Sequence, residues 1–230
     1  SIEDIDATPT GYLTTVLDNQ GNQTATLVAS GSNRKYVTIN EIPINLQHAF
    51  VAIEDERFYD HNGIDLQGIL RAGLKGVASG FHFSEGASTI TQQLLKNTVF
   101  TQWTSEQSMA DKFERKFQEQ YLALQLEKVV DKDWILENYL NAINLGQNTL
   151  GVGVASERYF GKDVSDLTLS ECAVLAAITQ SPSYYNPITH PDHNKERRQK
   201  VLNNMLDQGY ISQSEYLSLI HISEPTRHLR

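Results

Sequence analysis

From Leu46 onward the apolar residues keep a helical spacing and do not leave it for long. The runs LQHAFVAIEDERFY, IDLQGILRAGLKGVASGF, SEQSMADKFERKFQEQYLALQLEKVV, DKDWILENYLNAINLG and NKERRQKVLNNMLDQGY each set large apolar side chains three or four positions apart. A chain patterned this way cannot supply the alternating faces of a sheet. Its body must be a packing of helices. The punctuation agrees. One helix begins near Asp131 and stops at Gly146; Thr168 and Glu171 form a capping box ahead of CAVLAAI; Ser212 and Glu215 cap a last helix; PSYYNPITHP is a Pro-rich break. Residues 10–40 differ. Two Thr/Val/Leu-rich runs flank DNQGNQ and predict a hairpin, RKYVTI predicts a third strand, and Ile42-Pro43 closes the segment. The expected class is therefore mainly α, preceded by a short β-rich segment at 1–41.

Composition narrows the function. The 230 residues suit one large domain or two small ones, and 40% hydrophobic with 20% charged residues is a globular balance. A net charge of −9 excludes bulk affinity for nucleic acid, so any anionic ligand must meet a local basic patch. Cys172 is the single cysteine, so no intrachain disulfide can form, and its apolar run SECAVLAAI makes it a small hydrophobe rather than a nucleophile. His190 and His193 have no second pair of ligands for zinc. No apolar run reaches the roughly 18 residues of a membrane span. With no signal peptide and no initiating Met, the chain reads as a piece of something longer. Its end, LSLIHISEPTR from Leu217 to Arg227, resembles one reading frame of a transposon adapter used to prepare sequencing libraries. Residues 217–230 are accordingly expected to be a non-native tail, with the natural protein continuing past Tyr216.

Three clusters can carry chemistry. EGASTITQQLLKN, Glu85 to Asn97, predicts a helix capped by Ser88, with Ile90, Leu94 and Leu95 on one face and Thr89, Gln92, Gln93 and Lys96 on the other. That polar face holds hydroxyl, amide and ammonium groups but no carboxylate. An ordinary solvated helix face looks the same; so does an anion site at a helix N-terminus approached closely at Gly86. The long helix adds a cationic stripe, Lys112, Arg115 and Lys116, with Glu119 spaced i,i+4 from Arg115; a surface ion pair is the plain alternative. Its Met109, Phe113 and Phe117 share one stripe. Glu54 follows AFVAI, at the rim of a core, where a carboxylate can serve as acid or base.

Together, EDERFYDHNG, GASTITQQLLKN, ERKFQE, KDWILENYLN and RRQKVL, in that order, resemble the five motifs of the peptidoglycan glycosyltransferases, glycosyltransferase family 51, as found in class A penicillin-binding proteins. The resemblance covers about residues 42–210 and includes LGQNTLGVGVASERYFGKDVSDLTLSECAVLAAI and QSPSYYNP. It implies a lysozyme-like helical glycosyltransferase domain at 42–216. Such a domain polymerises lipid II: the 4-hydroxyl of an N-acetylglucosamine attacks the anomeric carbon of the growing chain's N-acetylmuramic acid, configuration inverts, and undecaprenyl pyrophosphate leaves. The family's base falls on Glu54 and its second glutamate on Glu119. Its donor-site residues fall on Thr89, Gln93, Lys96, Arg115 and Lys116, with Gln92 on the same face, making that face one wall of a pyrophosphate cradle. Asp55, Phe58 and His61 match further residues of the first motif and are placed with the substrate; for His61 a structural role in the loop before Gly63 is the alternative. Lys132, Glu137, Tyr139, Asn141, Arg197 and Arg198 read as scaffold.

The resemblance implies no cofactor, although a divalent cation, Mg or Mn, can assist. The implied partners are lipid II, the growing glycan strand and a membrane surface, with a transpeptidase domain following. The implied place is the outer face of the cytoplasmic membrane, anchored by an N-terminal helix that this chain lacks. LQGILRAGLKGVASGFHF resembles the family's membrane-dipping segment, and Arg71 and Lys75 suit an interfacial helix; a plain core helix is the alternative. Two positions depart from the family: Thr104 stands where many relatives carry arginine, and Gly86-Ala87 where Gly-Gly is usual. A lysozyme-like muramidase and a non-catalytic cell-wall scaffold are the rival functions.

Overall fold

The computed structural model describes residues 35–78, 88–98 and 109–221, with two strands ahead of them at 13–17 and 23–28. Gly86, Ala87 and Thr104 lie outside the described residues. Strand β1 (Leu13–Leu17) pairs antiparallel with β2 (Gln23–Val28), Leu13 opposite Val28. The rest is helical: α1 (Ile44–Glu54), α2 (Leu66–Ala78), α3 (Ile90–Thr98), α4 (Met109–Leu126), α5 (Lys132–Ala142), α6 (Val152–Phe160), α7 (Leu169–Ala176), α8 (Pro191–Asp207) and α9 (Gln213–His221).

Helix α1 is the axis of the core. It packs on α7 and α8, while α3 packs on α4 and α5. Phe50 of α1 meets Tyr139 of α5 edge-on, ring centres 6.2 Å apart, and joins the two halves. Leu46, Ile90, Leu94, Leu95, Ile135, Leu136, Leu140 and Leu175 complete a core without solvent contact. Each such side chain contributes roughly 1.5–3 kcal/mol by leaving water. Cys172 lies in this core as expected, and burial pushes its thiol up to about 12, far from a reactive thiolate.

The expected caps on α7 and α9 form: Thr168 and Glu171 exchange side-chain and backbone bonds, as do Ser212 and Glu215. Asp131 caps α5 through the Trp134 N–H. The expected stop at Gly146 comes earlier, at Ala142. Ile143 turns extended, and the chain folds back so that Gly151 N–H bonds Ile143 O at 2.8 Å.

The expected third strand, RKYVTI, is not a strand among the described residues. Residues 35–39 form a strap pinned to α5 by side chains. Val37 N–H donates to Asn141 Oδ1 and Val37 O accepts from Asn141 Nδ2, at 2.9 and 2.7 Å; Ile39 N–H donates to Glu137 at 2.6 Å, and the Tyr36 hydroxyl bonds the same carboxylate. Glu137, read as a helix-packing position, instead takes the place of a neighbouring strand. Lys35 ties the strap's start to Glu157 and Asp163, at 2.9 and 2.7 Å. That bond from Lys35, with help from Ser165, holds the Asp163 carboxyl down at about 2. A depressed folded pKa contributes stability above the unfolded value and loses it as pH falls through the folded one. The protection factors of the amides at 36–39, which remove the intrinsic pH dependence of exchange, are therefore expected to fall as pH drops from about 4 to about 2 and to stay flat between pH 5 and 7; protection factors unchanged down to pH 2 would refute this.

Two helices turn apolar stripes outward. Leu66, Leu70 and Leu74 of α2 are each more than half exposed, as are Phe113, Phe117 and Tyr121 of α4. The α2 stripe is thus not a core face, which removes the core-helix alternative for it. Among the described residues no helix is long and apolar enough to cross a membrane.

Candidate active site

Helix α1 delivers Glu54 to the site by ending there. Asp55 leaves helical geometry at φ −155° while its N–H still reaches Val51 O. The side-chain amides of Asn204 and Gln208, on and just past α8, donate to Ala52 O at 2.9 and 3.0 Å and satisfy that carbonyl of the last turn. Glu54 is 14% exposed, at the edge of the core as the sequence suggested. Its Oε2 accepts from Gln93 Nε2 at 3.2 Å; its Oε1 accepts from the Thr179 hydroxyl and lies 3.5 Å from Arg197 Nη2. Tyr139 donates to Gln93 Oε1 at 3.3 Å and so turns the amide's NH2 toward Glu54.

Behind Glu54 lies a buried polar network. Asp55 accepts from Ile90 N–H at 2.9 Å and pairs with His61 Nε2 at 2.9 Å. His61 Nδ1 accepts from Gly63 N–H at 3.1 Å, so the ring proton of the neutral imidazole sits on Nε2 and points at Asp55. Glu127 accepts from Thr91 at 2.5 Å and pairs with Lys132 at 2.6 Å, and Lys132 also donates to His61 O at 2.7 Å and lies 4.6 Å over the Phe58 ring. Gly63 has φ +100°, and a Cβ there would lie 2.5 Å from Ala123 O, so only glycine lets this loop press against α4.

The start of α3 overturns part of the sequence reading. Its cap is Thr89, not Ser88: Gln92 N–H donates to Thr89 Oγ1 and Thr89 N–H to Gln92 Oε1, both at 3.1 Å, a reciprocal box. Thr89 Oγ1 also donates to Gly63 O at 2.7 Å, and Gln92 Nε2 donates to Glu119 Oε1 at 2.9 Å. Thr89 and Gln92 are therefore buried, and the supposed polar face splits. Gln93 turns to Glu54, and Lys96 stands exposed in the last turn. Asp55 and Phe58 are likewise buried, and so is the His61 side chain, which takes the structural alternative. These side chains hold the site together, and Asp55 and Thr89 also line a cleft beside Glu54.

Glu119 is buried and receives Lys116 Nζ at 2.7 Å. Lys116 Nζ also donates to Ser88 Oγ at 2.7 Å. Ser88 lines a cleft of about 460 Å³ with Glu54, Arg57, Arg71, Lys200 and Asp207. Its carbonyl accepts from Gln93 Nε2 at 3.4 Å. A run of hydrogen bonds therefore leads from Glu54 through amide and hydroxyl to ammonium: Glu54, Gln93, Ser88, Lys116. Arg115 is half-buried on the same helix as Lys116. Among the described residues no group of three or more His, Cys, Asp or Glu is placed to hold a metal ion.

Sequence reasoning missed Thr179, and it read Arg197 as scaffold. Both touch Glu54 across more than a hundred residues of chain, a distance over which periodicity carries no signal.

The model of the transglycosylase family matches residues 20–206. The chain belongs to the transglycosylase family. This is the family that the five ordered motifs resemble. Penicillin-binding protein 1F of Bacillus subtilis is 48% identical over 201 residues, covering 87% of this chain and 27% of that protein. Penicillin-binding protein 1A of Clostridium perfringens is 45% identical over 212 residues, covering 89% and 30%. The crystal structure of penicillin-binding protein 1A from Haemophilus influenzae covers 93% of this chain and 21% of its own, with a TM-score of 0.48 and 24% identity. The transglycosylase chain thus spans less than a third of the length of these relatives. Its motif residues take part in the run of hydrogen bonds and the buried network just described.

Proposed function

We propose that this transglycosylase polymerises lipid II into glycan strands, with inversion at the N-acetylmuramic acid anomeric carbon and release of undecaprenyl pyrophosphate. The observation that carries this reading is that run of bonds: Glu54 and Ser88 line one cleft, and the Ser88 hydroxyl holds the Lys116 ammonium. The attacking hydroxyl must lose a proton as its bond forms, and Glu54 is the carboxylate presented for it. The leaving pyrophosphate gathers negative charge, which Lys116, with Arg115 beside it on α4 and Lys96 on α3, offsets with positive charge. With Ile90 N–H and Gln92 N–H already bonded inside the protein, that charge is met by side chains rather than by the start of α3. Glu119, locked between Lys116 and Gln92, orients the lysine. The reaction needs no cofactor; a divalent cation, Mg or Mn, would arrive with the pyrophosphate.

The same reading places the protein at the outer face of the cytoplasmic membrane. The exposed stripes on α2 and α4 suit an interface, where a polyprenyl substrate meets the enzyme in two dimensions. Segment 1–41 would link the body to a preceding membrane helix, and a transpeptidase domain would follow the body in the full-length protein. The test is incubation with purified lipid II. Polymer supports the proposal, cleavage of preformed glycan supports a muramidase, and binding without turnover supports a scaffold.

A further inference from the structure

We infer that Thr179 is a positioning residue for Glu54: with Arg197 it occupies one carboxylate oxygen and leaves the other to accept the proton. The inference rests on the glycosyltransferase reading above. Helix α7 is fixed at its start by the Thr168–Glu171 box and packs on α1, so the turn that follows it arrives beside the end of α1. There the Thr179 hydroxyl donates to Glu54 Oε1. A hydroxyl has one proton to give. The competing acceptor, Ala176 O at 3.1 Å, is neutral and farther away, so the ionised carboxylate takes it.

Arg197 loads the same oxygen. Its Nη2 lies 3.5 Å from Oε1, while Nη1 is bonded to Gln180 Oε1 at 2.7 Å and the guanidinium stacks over Tyr185 at 5.0 Å. Arg197 is only 8% exposed, so it is anchored rather than free to swing into the cleft. Oε2 is treated differently. It receives one amide N–H, from Gln93, at 3.2 Å. Each carboxylate oxygen has two lone pairs, so Oε2 keeps one for the substrate. In the step this permits, the proton of the attacking hydroxyl passes to Oε2 as its oxygen bonds to the anomeric carbon. The bond to pyrophosphate breaks and its electron pair leaves with the pyrophosphate. A carboxylate free to rotate would offer either oxygen at a spread of angles, and misplacement by about 1 Å can cost on the order of 100-fold in rate.

The test compares Thr179→Val, which keeps the shape and removes the hydroxyl, with Thr179→Ser, which keeps the hydroxyl. T179V is expected to lower kcat on lipid II by about 10- to 100-fold with KM within about threefold, and T179S to recover most of it. In a Glu54→Gln background T179V is expected to cost nothing further. Labelling of Glu54 by a water-soluble carbodiimide, read by mass spectrometry, needs no turnover: T179V should label faster than wild type, and T179S at the wild-type rate. Wild-type labelling in T179V overturns the inference whether or not the chain makes polymer. So does wild-type kcat, a loss confined to KM, a T179S as impaired as T179V, or a loss that persists in full beside E54Q. Failure of the glycosyltransferase reading looks different: no polymer from the wild-type chain, with the labelling contrast intact.

Discussion

Glu54→Gln is expected to lower lipid II polymerisation by about 1000-fold while the protein keeps its fold, since a positioned base contributes on the order of 100- to 10,000-fold. Glutamine matches the shape of glutamate and can still sit against Thr179, but its amide cannot take the proton of the attacking hydroxyl. The fold should survive because Arg197, the one cation bonded to Glu54 among the described contacts, keeps Gln180 and Tyr185. A melting temperature within about 5 °C of wild type is the expected companion result, as 1 kcal/mol moves a domain of this size by roughly 2–4 °C. The polymerisation assay and a thermal melt decide the matter together. Wild-type turnover by the variant removes Glu54 as the base, and a collapsed melt would mean that the carboxylate is structural.

The second large effect is on stability. Asp55→Ala is expected to cost about 2–6 kcal/mol, since each buried donor left without its acceptor costs about 1–3 kcal/mol. The alanine strands two donors at once, Ile90 N–H at the start of α3 and His61 Nε2. It also uncouples the end of α1 from the start of α3, the two elements that carry Glu54 and Gln93. A drop of roughly 10 °C or more in melting temperature should follow. Asp55→Asn keeps an acceptor for Ile90 and should lose less. If D55A melts within about 2 °C of wild type, the network behind the site is not what fixes it.

The helices were legible because their signals are local. Capping boxes such as Thr168–Glu171 and Ser212–Glu215, and an apolar spacing of three to four, depend on residues a turn apart. The site was legible only in part. Glu54 could be named from its place after AFVAI and from the motifs, but what surrounds it could not. Thr89 and Gln92 looked like a ligand face because hydroxyl and amide side chains read as exposed until one knows that they bond each other and Gly63. Periodicity separates apolar from polar; it does not separate polar groups facing water from polar groups satisfied inside. RKYVTI failed for a related reason. Its β-rich composition fits an extended backbone, yet the partner supplying its hydrogen bonds is a pair of helix side chains, Glu137 and Asn141, which no strand pattern can announce. Thr179 lay at the ragged end of an apolar run, where a threonine is unremarkable.

The strap also decides where this molecule can be cut. A shortened version beginning at Glu41 would strip the Glu137 carboxylate of its Tyr36 and Ile39 donors and leave Asn141 only its bond to Glu137 O on α5. The loss falls next to the site: Tyr139, two residues from each of those positions, is the residue that orients Gln93 toward Glu54. Trimming for crystallisation or expression should therefore stop ahead of Lys35, and a helical body pared to its visible helices would be smaller but poorly made.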